Sequence, residues 1–176
     1  MRRRTTVSVV ALAAVAMLAG CGSSKKAADN TPTTTTPTTA AATCDPSATP
    51  PSTAATPADA ATTTAISTAY TKFFDPATPQ ADKLKYLQDA SSLSQLIATL
   101  AANPSSKETS AKVDSVALAD ECHAIVTYDL SSKGAVVLPG SKGKAVKVNG
   151  QWQVSKETFC ALASLAVTNG QLPGCS

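Results

Sequence analysis

Hydrophobic positions divide the chain into three regimes. Residues 7–18 form an apolar run interrupted only by Ser8. From Gly22 to about Asp59 large apolar residues almost vanish. Beyond that the pattern becomes periodic. Ala61, Ile66, Ala69, Tyr70, Phe73 and Phe74 recur at helical spacing, which predicts a helix. Asp75-Pro76 stops it, because a residue before proline avoids the α region. A second helical region is predicted over residues 80–100, broken near Asp89, with Leu84, Leu87, Leu93, Leu96, Ile97 and Leu100 as its stripe and Asn103-Pro104 as its end. The period then changes to two. Residues 112–119 and 122–130 read as strands rich in Val, Ile, Thr and Tyr. In the second, Cys122, Ala124, Val126, Tyr128 and Leu130 share one face, and Glu121, His123, Ile125, Thr127 and Asp129 the other. Residues 134–138 read as a further strand before a Pro139-Gly140 turn, and 144–148 as another. Asn149-Gly150 is the preferred pair for a two-residue hairpin turn with positive φ at both positions, so 151–154 returns as a partner strand. Ser155 is placed to cap a last helix to about Leu165, and Glu157 complements its dipole. Helices followed by a meander of strands and a final helix predict an α+β layer, with helices on one face of an antiparallel sheet.

The thin middle regime consists mostly of Thr, Ala, Pro and Ser with a few charges. It has too little apolar surface to offset ordering and reads as a disordered tether. As a coil it would span about 35 Å, and in extended polyproline-like geometry about 110 Å. Its Thr-Pro density also fits an O-glycosylated stalk. The expected organisation is residues 1–20 as leader, 21–56 as tether and 57–176 as one globular domain with a single core.

The formal charge of +3 belongs to the whole chain. Its only arginines are Arg2, Arg3 and Arg4. Fifteen basic residues less these three leaves twelve lysines against twelve acids, a net of zero. Beyond the leader there is no planar arginine fork to grip phosphate and no basic cluster past Lys25-Lys26. This argues against nucleic-acid binding. Lys25-Lys26 could touch anionic headgroups or simply be solvated.

Met1-Arg2-Arg3-Arg4, the apolar run and the small residues after it make a secretory signal peptide. The run is too short for a membrane span of about 20 residues. Leu18-Ala19-Gly20-Cys21 resembles the lipobox of bacterial lipoproteins. That resemblance implies a diacylglyceryl group on the Cys21 thiol, cleavage before it and acylation (palmitate or similar) of the new amine. It implies a protein lipid-anchored on the extracytoplasmic face of the cell membrane. Among the five cysteines, Cys44, Cys122, Cys160 and Cys175 then remain, and an even number in an exported chain suggests disulfides. Three pairings are possible and spacing alone does not choose. Cys160 on the last helix is expected to pair with Cys175, because Gly170 and Pro173-Gly174 let the tail turn back. Cys44 would then pair with Cys122, tying the tether's end to the sheet. With no Cys-x-x-Cys pair and one histidine, a close-spaced zinc site or a thioredoxin-like redox site is not expected, and no cofactor is implied.

The run Leu138-Pro139-Gly140, the hairpin from Gly143 through Asn149-Gly150-Gln151-Trp152 to Ser155, Thr158-Phe159-Cys160 and the end Leu172-Pro173-Gly174-Cys175 are similar to the C-terminal domain of the mycobacterial low-molecular-weight secreted antigens. Ala101-Ala102-Asn103-Pro104 and Ala111-Lys112-Val113 also fit. The likeness covers about residues 57–176. It implies an actinobacterial envelope protein, recognised by the immune system in pathogenic relatives, with no established enzyme activity. The element order is similar to the nuclear-transport-factor-like cone, a curved sheet wrapped on helices that often leaves a pocket. The lipobox cysteine, in place of a soluble export signal, points to anchoring instead of free secretion.

Candidate chemistry is sparse. His123, Thr127 and Asp129 share a strand face, and an acid on such a face can act as a general base when burial raises its pKa. The bland reading outweighs it: these are solvated or strand-end residues without a substrate-positioning partner. Trp152 reads as a core residue of the hairpin. One histidine leaves no plausible Ser/His/Asp order, and the scattered glycines form no phosphate loop. The expectation is a non-enzymatic binding or accessory module for a small apolar ligand or an envelope protein. The alternative is a cone-fold isomerase or hydrolase using Asp129 or His123.

Overall fold

Asp59 starts the first helix. Its carboxylate accepts the Thr62 N–H at 2.9 Å, meeting one of the donors a first turn leaves unpaired. Helix α1 then runs Ala60–Phe74, burying Ile66, Ala69 and Tyr70, and gives way at Asp75, just before Pro76. This computed structural model describes residues 44–50, 54–167 and 171–175. The lipobox, Cys21 and the leader lie outside the described residues.

The region expected as a single interrupted helix resolves into α2 (Gln80–Lys83), a 3-10 turn over Leu84–Tyr86 and α3 (Ser94–Ala101). The break has a tertiary cause. Leu87 forms a parallel bridge with Val154, and the Gln88 N–H donates to the Val154 carbonyl at 3.0 Å. The chain leaves helical geometry to add to a sheet edge, and Asp89 turns it back with φ 52°.

The sheet comprises β1 (Thr56–Pro57), β2 (Thr109–Leu118), β3 (His123–Ser132), β4 (Ala135–Val148) and β5 (Gln151–Val154). It is open and antiparallel in the order β1-β2-β3-β4-β5. The two-residue β1 has no counterpart in the hydrophobic pattern. Two strands expected over 134–138 and 144–148 are one continuous β4. The Pro139-Gly140 step does not reverse the chain. It is absorbed as a register shift around Leu130, where Asp129 Oδ1 accepts the Gly140 N–H at 2.8 Å. A second shift lies between Val113 and Ser115. Such bulges bend a strand and increase its twist, and the sheet is curved. Asn149 and Gly150 have φ 50° and 82°, as the hairpin turn requires, and Lys133-Gly134 makes a similar turn between β3 and β4.

Ser155 caps α4 (Lys156–Ala166), its hydroxyl accepting the Thr158 N–H at 3.1 Å. Thr158 Oγ1 accepts the Lys144 N–H at 2.7 Å, which seats α4 on β4. One core joins every layer: Ile66 and Tyr70 from α1, Leu96 and Ile97 from α3, Val126, Tyr128 and Leu130 from β3, Trp152 and Val154 from β5, and Phe159 and Ala163 from α4. The predicted α+β arrangement, with helices gathered on one sheet face, is the one observed. Trp152 is 7 % exposed and belongs to that core.

Two disulfides pin the ends. Cys160 is joined to Cys175, and Cys44 to Cys122. Cys44 belongs to the stretch expected as tether, yet residues 44–50 are held against the domain. Besides the disulfide, Gln88 Nε2 donates to the Pro46 carbonyl at 2.9 Å.

Candidate functional site

The C-terminal end of α1 places Phe73 and Phe74 beside α4. Phe73 meets Phe159 edge-on at 5.7 Å and Phe74 at 4.9 Å between ring centroids. Such geometry suits the ring quadrupoles. These rings form one wall of a cavity of about 250 Å³ between the helices and the sheet. Leu84, Ile97 and Leu100 form a second wall, Leu130 the floor, and Leu162, Ala163 and Ala166 of α4 the remaining side. Leu84 is 36 % exposed, which would be odd for a member of the predicted apolar stripe. It lines the cavity instead of filling the core.

The polar residues of the lining are Gln80, Lys83, Asn103, Ser106, Thr109 and Ser132. Among the described residues Lys83 is the only charged one. Burial pushes its pKa down, and the Asp75 carboxylate works in the opposite sense. Asp75 is itself engaged, its two oxygens accepting the Ala77 N–H at 2.9 Å and the Thr78 hydroxyl at 3.2 Å. Deeper in, Tyr70 and Tyr128 stand 5.1 Å apart. Burial raises both phenol pKa values, so both stay neutral. The Tyr70 hydroxyl donates to the Lys144 carbonyl at 3.0 Å.

Of the sequence-derived candidates, neither His123 nor Asp129 lines this cavity. Asp129 is committed to the Gly140 N–H, a structural bond that holds the β3–β4 irregularity. His123 was expected on a solvated face and is instead buried, at 8 % exposure. The tight turn before β3 explains this. Asp120 accepts the N–H groups of Cys122 and His123 at 2.7 and 2.8 Å and lies 2.9 Å from His123 Nδ1. Burial pushes the Asp120 carboxyl up, but these hydrogen bonds prevail and hold it below the usual carboxylate range. His123 Nε2 is buried and has no hydrogen-bond partner. It borders a second hollow, of about 620 Å³, roofed by residues 46–50 and lined also by Lys144 and Glu157, which pair with each other at 2.7 Å. Ser155, which also lines that hollow, donates its hydroxyl proton to Thr158 Oγ1 at 3.0 Å. His123 and Asp129 are six residues apart on one strand, about 20 Å, and cannot act on a common atom.

A model of one family, described as the low molecular weight antigen MTB12, C-terminal domain, matches residues 59–170. The chain belongs to this family. The match spans α1 through α4, so the antigen-family domain contains the whole cavity. No curated protein and no solved structure matches the chain, and kinship with the nuclear-transport-factor-like cone therefore rests on element order alone. Among the described residues no cluster of three or more His, Cys, Asp or Glu could hold a metal, and no helix is long and apolar enough to cross a membrane.

Sequence reasoning missed Lys83. Nothing local distinguishes it from the other eleven lysines. Its setting depends on the break after it, where Leu87 leaves helical geometry to pair with Val154, and on the cavity it lines.

Proposed function

We propose that this antigen-family domain is a non-enzymatic binding module that holds a small apolar ligand between its helices and sheet. In this reading it is displayed on the extracytoplasmic face of the cell membrane by a lipid on Cys21. The observation that carries the proposal is the cavity of about 250 Å³ with aromatic and aliphatic walls. Apolar cavities stay dry and take up apolar molecules, as an engineered cavity of about 150 Å³ takes up benzene. The anchor is supported by Leu18-Ala19-Gly20-Cys21 behind a basic and apolar leader. Two acyl chains or more hold a protein stably where one does so only marginally.

The alternative, an enzyme of this fold, draws its one support from the unpartnered Nε2 of His123 beside Asp120. Asp129 lends it none. Ligand-induced stabilisation tests the main reading. Saturation with 1-decanol should raise the melting temperature, with about 2.7 kcal/mol gained at a hundredfold excess over Kd. A turnover reaction abolished by His123→Ala in a folded protein would displace it in favour of the enzyme. For the anchor, Cys21→Ala should release the protein from the membrane fraction. An unlipidated wild-type chain found in that fraction would refute it.

A further inference from the structure

We propose that the cavity accepts a single-chain carboxylate, its alkyl chain among the Phe73, Leu84, Leu100 and Phe159 walls and its carboxylate on Lys83. The inference rests on the apolar-ligand reading above and adds the head group.

Three observations carry it. First, the lining is mostly apolar, and among the described residues Lys83 is its sole charge. Second, Lys83 is half-buried and, among the described residues, its side chain enters no hydrogen bond or ion pair. The neighbouring Lys85, by contrast, is paired with Asp82 at 2.7 Å. A half-buried ammonium without a direct partner has lost hydration that no hydrogen bond returns, and burial pushes its pKa down against the opposing field of Asp75. The one acid whose field reaches it, Asp75, already accepts two hydrogen bonds. An anionic ligand supplies the missing counter-charge. Third, the size is right for one short chain. If about 150 Å³ houses the six carbons of benzene, the observed 250 Å³ houses about ten. One ammonium matches one negative charge, so a monoanionic carboxylate is neutralised, whereas a doubly charged phosphate head would leave a charge unmatched against an apolar wall.

Binding of decanoate, 1-decanol and decyltrimethylammonium to the full chain carrying Cys21→Ala, each below its micelle concentration, tests this by calorimetry. Decanoate should bind at least tenfold more tightly than 1-decanol, and the cation more weakly than either. Lys83→Met should bring decanoate down to the affinity of 1-decanol and leave 1-decanol unchanged, while Lys83→Arg keeps the preference. Ala101→Trp, at the cavity-lining end of α3, should weaken both ligands, and Lys85→Gln neither. Equal affinity of decanoate and 1-decanol for the parent chain, or a decanoate preference that survives Lys83→Met, would overturn the carboxylate assignment while leaving the apolar-ligand reading standing. No binding of any of the three would overturn both.

Discussion

Gly143→Ala should be among the most damaging single-methyl additions to this domain. Strand β4 passes directly beneath the aromatic core at this point. A Cβ on Gly143 would lie 2.6 Å from the Tyr70 hydroxyl and 2.9 Å from both Thr158 Cγ2 and Tyr128 Cε1. All three neighbours are buried, Tyr70 and Tyr128 at 0 % and 1 % exposure, so none can swing into solvent. Overpacking of this kind costs about 1–3 kcal/mol. If the Tyr70 hydroxyl is driven off the Lys144 carbonyl, a buried donor is left unsatisfied, for about 1–3 kcal/mol more, while the carbonyl keeps the Ser155 N–H at 3.0 Å. A total near 4 kcal/mol, on a domain of roughly 120 residues with an unfolding entropy of about 2.1 cal/mol/K per residue, lowers Tm by about 16 °C. Thermal melts followed by circular dichroism measure it, and a cycle with Tyr70→Phe locates the cause. Alone, Tyr70→Phe should cost about 1 kcal/mol. Combined with Gly143→Ala it removes the closest clash, so the double variant should be no less stable than Gly143→Ala alone. A Gly143→Ala protein melting within 2–3 °C of the parent, or strict additivity in the cycle, would refute this account of the packing.

Other outcomes follow from the same contacts. Replacing Cys160 and Cys175 together by alanine opens a loop with a sequence separation of 15 and should cost about 3 kcal/mol in the chain-entropy model, read as a Tm loss near 12 °C; an unchanged Tm would mean the tail is held by packing alone. Gly174 has φ 87° and its Cβ would collide with the Ser92 carbonyl oxygen, so Gly174→Ala should destabilise the chain strongly while the disulfide is intact, and noticeably less once Cys160 and Cys175 are replaced and the tail can move off. Asp120 has its pKa lowered in the folded state from an ordinary 3.8, so its contribution is present above about pH 4 and is lost as pH falls through its folded value. Asp120→Asn should therefore flatten the stability loss below about pH 4, and an acid limb identical to that of the parent would contradict the hydrogen-bond assignment.

Much of the fold was legible because local and global signals agree in it. Asp75-Pro76, Asn149-Gly150 and Ser155 each act locally, and α1, the β4–β5 hairpin and α4 lie where those signals set them. The pattern misled where a tertiary contact outweighed it. Leu84 and Leu87 fit a helical stripe together, but Leu87 bridges to Val154, and that pairing is invisible to a window of neighbouring residues. Pro139-Gly140 reads as a turn, but Asp129 accepts the Gly140 N–H and lets β4 run through. His123 alternates outward by count, yet Asp120 and the turn it ties cover it.

The same reasoning explains why the site escaped the sequence. Its walls are built from residues whose types are those of any core: Phe73, Leu100 and Phe159 look alike whether they fill space or enclose it. What separates cavity from core is the path of the connecting segment. Pairing of Leu87 with Val154 and the turn at Asp89 separate α2 from α3 in sequence, and Lys83 and Leu84 before the break line one cavity with Ile97 and Leu100 after it. The Cys44 disulfide acts on geometry too. It moves the first fixed point of the domain from residue 57 to residue 44. Between Cys21 and Cys44 lie 23 peptide steps, which at no more than about 3.6 Å each allow at most about 83 Å, against about 130 Å for the 36 steps to Pro57. A ligand site carried by a lipidated Cys21 would thus be kept about a third closer to the bilayer than the tether's composition alone implies. Under the proposed anchor, an apolar cavity with a single cation would lie within reach of the surface where single-chain carboxylates partition.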